Sequence, residues 1–217
     1  MKKSNLLKMT AMLELILMIL ILFYDILIPT LLIICVGFVF MQVRRESLSG
    51  LGFKKPDALF QLVSGVLGLA FLWSLVDYGI ILPVLNHLTG TKQNLSTFEE
   101  LKGNTGLLLF LLAAGWILAA VGEELVYRGF LQNRIMSLFP DGKAGLLFAV
   151  AVSSVLFGFA HTEQGITGVV ITAVDAVFFS VVRYKYKNLW ASVLAHGFIN
   201  TIGIVTFYFT GPVYGLW

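Results

Sequence analysis

Charge is scarce in this 217-residue chain: 12% of its residues are Asp, Glu, Lys or Arg, against 58% that are apolar. An ordinary soluble domain has about 25% charged and about 45–50% apolar residues. A globule of this size keeps too much of its surface exposed to hide the surplus from water. The shortage excludes a soluble enzyme, a disordered chain and a free binder of nucleic acid. Cysteine is reduced to Cys35, inside the run Leu31, Leu32, Ile33, Ile34, so neither an internal disulfide nor a cysteine-based metal site is open to the chain. Cys35 reads as bilayer or core packing. Internal repeats and low-complexity tracts are also missing.

What is there is apolar length. The runs 9–24, 26–42, 58–83, 106–127, 144–161, 165–182 and 189–209 each approach the ~20 residues that a spanning helix needs. They predict an all-α transmembrane bundle of about seven spans, six or eight being the alternatives, folded as a single membrane domain over 1–217 with lipid as its first partner. The first two runs are parted by Tyr24, Asp25 and Pro29 and fit either a hairpin or one long bent helix. Charge favours the hairpin. It puts Lys2, Lys3, Lys8, Arg44, Arg45, Lys54 and Lys55 on one face. Continued alternation adds Arg128, Arg134, Lys143, Arg183, Lys185 and Lys187, leaving only Lys92 and Lys102 opposite. The positive-inside bias makes that face, and the N-terminus, cytoplasmic. The hydrophobic start lacks a small-residue cleavage site and reads as a retained span.

Three polar stretches stand apart. Residues 43–57, with Phe53 between Gly52 and Lys54, suggest a connector lying along the headgroups or a plain loop. Residues 84–105 form the long outer loop, where Glu99, Glu100 and Lys102 read as a solvated face. Pro212, Tyr214 and Trp217 look like an outer interfacial anchor.

Ionisable groups within apolar runs are costly and usually mark function or helix–helix contacts. Glu14, Asp25, Asp77 and Asp175 each fit a helix–helix hydrogen bond. The stretch Gly122 to Gly129 holds adjacent acids, Glu123 and Glu124, at the end of a strongly apolar run. On a helix Glu124 and Arg128 stand four apart, share a face and can pair. Glu123 points about 100° away, towards Tyr127's side. One acid thus has a built-in counter-ion and the other is free for general acid–base work. Phe157 and His161 share a face, as do His196 and Asn200. Two hydrogen-bonding heads on one stripe can hold a carbonyl oxygen or small anion, or clasp two helices. Together the clusters form a set able to activate a water. Glu123 would take its proton, His161 would hold the water or shuttle the proton, and His196 with Asn200 would stabilise an oxyanion. The implied reaction is amide hydrolysis inside the bilayer.

The order Glu123-Glu124-x-x-x-Arg128, Phe157-x-x-x-His161, His196-x-x-x-Asn200 resembles the CAAX protease and bacteriocin-processing family, also called the Abi family, of intramembrane endopeptidases. The likeness covers the motif-bearing stretch 106–201. It implies a helical fold with a cavity open to the membrane and the cytosol, and a membrane-tethered or lipid-anchored peptide as substrate. It gives Glu123, His161, His196 and Asn200 catalytic roles and Glu124 and Arg128 supporting ones. A metal-free glutamate mechanism is the expectation. The zinc alternative would use Glu123, His161 and His196 as ligands, although no His-Glu-x-x-His helix is present. A non-catalytic bacteriocin-immunity factor and a proton-coupled carrier are the competing readings. Length and simple loops fit a bacterial plasma-membrane member.

Depth raises one conflict. His196 lies nine residues from Lys187 and Glu124 ten from Arg134, about 14 and about 15 Å at 1.5 Å per residue. His161 lies eighteen from Lys143, about 27 Å, too far out for an upright helix.

Overall fold

The computed structural model describes residues 3–26, 28–140 and 142–217; Lys2, counted above among the basic residues, lies outside them. Each apolar run becomes a helix, and the described residues form helices and connecting turns only. They are α1 (Lys3–Phe23), α2 (Pro29–Arg44), the single-turn α3 (Leu48–Leu51), α4 (Leu59–Thr89), α5 (Thr105–Leu138), α6 (Lys143–Phe159), α7 (Gly165–Tyr186) and α8 (Leu189–Thr210). Five of them, α1, α4, α5, α7 and α8, are long and apolar enough to cross a membrane, and α2 and α6 are shorter apolar helices.

The first two runs are a hairpin. Pro29 starts α2, where its missing N–H costs nothing, and Asp25 sits exposed in a left-handed turn at φ 47° instead of making a helix–helix bond. Asn104 and Asn188 cap α5 and α8, their side chains accepting from the backbone N–H of Leu107 and Trp190 at 3.0 and 3.1 Å.

Polarity is arranged inside out. Large apolar side chains such as Phe60, Phe110 and Leu147 stand on the outer surface, while Glu14, Glu124, Arg128, Gln132, Arg134 and Arg183 are buried. Cys35 is exposed on α2. That distribution suits a lipid solvent.

The run expected to end at 127 continues as helix to Leu138. It does so because its polar residues find partners inside the bundle. Gln132 donates to Ser153 and Ser180 Oγ, both at 2.8 Å. Arg134, which from sequence marked the water boundary, donates to Glu14 at 2.7 Å and Glu46 at 2.6 Å, and Arg44 closes the cluster on Glu14. Arg183 adds bonds to the Arg128 carbonyl, the Leu51 carbonyl and Asn133. The basic end of the bundle is therefore plugged. Part of the 43–57 connector joins the plug. Leu189 N–H donates to the Gly52 carbonyl at 2.8 Å, and the Phe53 ring packs edge-on to Trp190 at 4.8 Å.

The opposite end is looser. The outer loop folds into a 3-10 turn, Ser96–Leu101, that buries Leu95 and Leu101 against Phe207 and Ile204, while Glu99 and Glu100 stay exposed as expected. The C-terminal segment returns over α4. Leu216 N–H and Trp217 Nε1 donate to the Tyr78 and Gly79 carbonyls at 3.0 and 2.8 Å. These carbonyls lie in a π-helical segment, Asp77–Ile81, whose widened turn frees backbone acceptors.

Helices α6 and α7 come close together at Gly158. A Cβ there would come within 2.5 Å of the Val169 carbonyl and 2.9 Å of Ala173 Cβ. Backbone cannot step aside as a side chain can, so Gly158→Ala should destabilise the protein by about 1–3 kcal/mol. A thermal melt in detergent checks this; an unchanged midpoint would show that the two helices separate freely.

Candidate active site

Helix α5 is π-helical over Gly115–Glu123 and again over Leu125–Leu131, with Glu124 at the junction. π segments are frequent at functional sites; here Glu123 ends one and Glu124 stands between the two. Glu124 and Arg128 do pair, at 2.8 Å and fully buried. Arg128 also donates to the Ala176 carbonyl at 2.8 Å. Its guanidinium lies between two aromatic faces, 4.9 Å from the Phe157 centroid and 5.2 Å from Phe179.

His196 Nδ1 is 3.0 Å from Glu124 Oε1. A carboxylate there accepts, so Nδ1 carries the proton and the Nε2 edge is turned outward, a carboxylate-fixed orientation of a histidine. The ring stacks on Phe179 at 4.6 Å with planes 9° apart. Nε2 faces Glu123 Oε2 at 3.9 Å, and that oxygen has no hydrogen-bond partner among the described residues. A gap of that length between two polar atoms suits a bridging water.

Glu123, His161, His196 and Asn200 all line one cavity of about 510 Å³. Asn200 sits one turn beyond His196, its side chain beside Gly115, where a Cβ would lie 3.8 Å from Nδ2. His161 stands two residues past the end of α6, half-buried, with Nδ1 2.8 Å from the Phe157 carbonyl. The Phe157 ring separates the two histidines, 4.7 Å from His161 and 6.0 Å from His196.

The polar heads do not share one level: His161 lies at the end of the bundle opposite the basic plug, beside the outer loop, whose Asn94 side chain donates to the Glu163 carbonyl at 3.0 Å. The cavity's other lining residues agree: Gln93, Leu95 and Phe98 of the outer loop, Thr30 at the start of α2, and Gln164. The Glu14, Arg44, Arg134 and Arg183 clusters fill the basic end, and outer-loop residues line the cavity at the other end.

Glu123, His161 and His196 share a cavity, but among the described residues no three His, Cys, Asp or Glu side chains come together as a metal-ion site. The zinc set does not fit this arrangement. Phe179 was passed over in the sequence, and Asp77 was read only as a helix–helix contact. Asp175 and Phe179 stand four apart on α7, the spacing that revealed the other pairs, so Phe179 was detectable. Asp77 carried no such companion.

Residues 105–202 match the family described as type II CAAX prenyl endopeptidase Rce1-like. That stretch of the chain is similar to the family. It contains all three motifs, and the likeness supports a CAAX-type intramembrane endopeptidase in general terms. No curated protein and no solved structure matches the chain.

Proposed function

We propose that the cavity hydrolyses a peptide bond of a membrane-associated or lipid-anchored peptide by a glutamate mechanism. The observation that carries this reading is the unpartnered Glu123 Oε2 facing His196 Nε2 across 3.9 Å, in a cavity large enough for an extended peptide segment. A water in that gap gives its proton to Glu123 as its oxygen attacks the substrate carbonyl carbon. The oxyanion is met by Asn200 Nδ2 and by His196, which donates from Nε2 when that nitrogen also carries a proton. The C–N bond then breaks, and the amine leaves with the proton held by Glu123. His161, on the mouth side, holds or relays the water. Glu124 and Arg128 fix His196 in place.

Single-turnover cleavage of a lipid-anchored peptide by purified protein, with and without chelator, tests the mechanism. Indifference to chelator is expected, and loss of cleavage would overturn the metal-free scheme. Cleavage should also fall on acidification, as a protonated Glu123 no longer accepts; an unchanged rate from pH 8 to pH 4 would remove Glu123 as the base.

The N-terminus and basic end face the cytoplasm in this reading, within a bacterial plasma membrane, and substrate enters from the outer end. With Cys35→Ser as background, Glu99→Cys in the exposed outer loop should react with a membrane-impermeant maleimide in intact cells. Reaction only after lysis would reverse the orientation.

A further inference from the structure

Two more carboxylates line the same cavity, outside the catalytic set. Asp77, at the start of the π-helical segment of α4, is 8% exposed, and its Oδ1 has no hydrogen-bond partner among the described residues. Asp175, mid-way along α7, accepts from Trp73 Nε1 at 2.7 Å, and the Trp73 ring is itself stacked on Phe178 at 4.4 Å. The two acids lie close enough to act on each other electrostatically. With Glu123 they make three carboxylates in one largely apolar cavity, and no lysine or arginine lines it.

Like charges in a low-dielectric site repel strongly unless a cation sits between them. A buried, unpaired carboxylate oxygen also forfeits its solvation without return. The Trp73 bond holds Asp175 in a fixed rotamer, and the π-helical turn fixes the backbone that carries Asp77, so the pair is preorganised. A cationic group entering the cavity would satisfy both. We propose that Asp77 and Asp175 form a specificity subsite for a positively charged group of the peptide, a lysine or arginine side chain or a free amine. This deepens the endopeptidase reading and rests on it for the cavity being the substrate's seat.

The test is binding, read without cleavage. Three otherwise identical fluorescent hydrophobic peptides, carrying one lysine, norleucine or glutamate, are titrated with the full-length protein in lipid nanodiscs and followed by anisotropy. The lysine peptide should bind about tenfold or more tightly than the norleucine peptide, and the glutamate peptide most weakly, as expected for a charge-assisted hydrogen bond gained or a repulsion incurred. Asp77→Asn with Asp175→Asn should abolish the lysine preference while leaving norleucine affinity unchanged. Should the double variant fail to fold, Asp77→Asn alone, which is isosteric, should still cut the preference severalfold. Equal affinity of wild-type protein for lysine and norleucine peptides, or a preference that survives the substitutions, overturns the subsite. Lysine-selective binding without Glu123-dependent cleavage would sink the endopeptidase reading and keep the subsite; cleavage indifferent to lysine would do the reverse.

Discussion

Replacing Glu123 by Gln is expected to lower single-turnover cleavage of a membrane-tethered peptide by about 10³-fold, the order contributed by a positioned general base, with no loss of folded protein. The two parts of this result have separate physical grounds. Gln keeps the shape and length of Glu but cannot take a proton from water. The fold does not depend on the charge, because Glu123 Oε2 has no hydrogen-bond partner among the described residues and His196 Nε2 is 3.9 Å away. Circular dichroism and the melting midpoint should match wild type. A variant that still cleaves at more than a tenth of the wild-type rate would remove Glu123 from the chemistry. An immunity factor that acts by sequestration would keep its effect in the same variant, so the substitution separates that reading from catalysis.

Arg128→Met should have the largest effect on stability. Arg128 is 1% exposed, paired with a Glu124 that is 0% exposed, and bonded to the Ala176 carbonyl. Removing it leaves a buried carboxylate that keeps its bond to His196 Nδ1 but has lost its counter-ion. Breaking one side of a buried pair costs about 3–5 kcal/mol, most of it the stranded charge. The double variant Glu124→Gln with Arg128→Met removes that charge and should recover much of the loss. Denaturant unfolding in detergent, or the yield of monodisperse protein, reads both. A single variant within about 1 kcal/mol of wild type would mean that the pair is not buried as described. The double variant should fold yet cleave poorly, since the charged acceptor that orients His196 is gone.

The catalytic candidates were legible because their signals are local. Glu124 with Arg128, Phe157 with His161, and His196 with Asn200 each sit four residues apart; the structure keeps the first and third pairs on a helix and sets His161 just past the end of α6, still packed on Phe157. The bridge between the first and third pairs, Glu124 to His196, spans 72 residues and left no trace in spacing. Phe157 was read only as a companion of His161. In the structure it also flanks Arg128 and stands edge-on to His196, roles that depend on where α5 and α8 lie around it. The pairing of Arg134 and Arg44 with Glu14 was hidden for the same reason.

The sequence by itself determined the solvent and the elements. Apolar length and the helical period are properties of contiguous residues, so seven helices in lipid, and the pairs one turn apart, follow without knowledge of the packing. Which acid is held by Arg128 and His196 together and which is left free, and that Asp77 and Asp175 line one cavity, were decided only by tertiary structure. Helices with similar apolar surfaces pack against one another in many ways of nearly equal burial, and it is the few buried polar contacts between residues distant in the chain that select one of them.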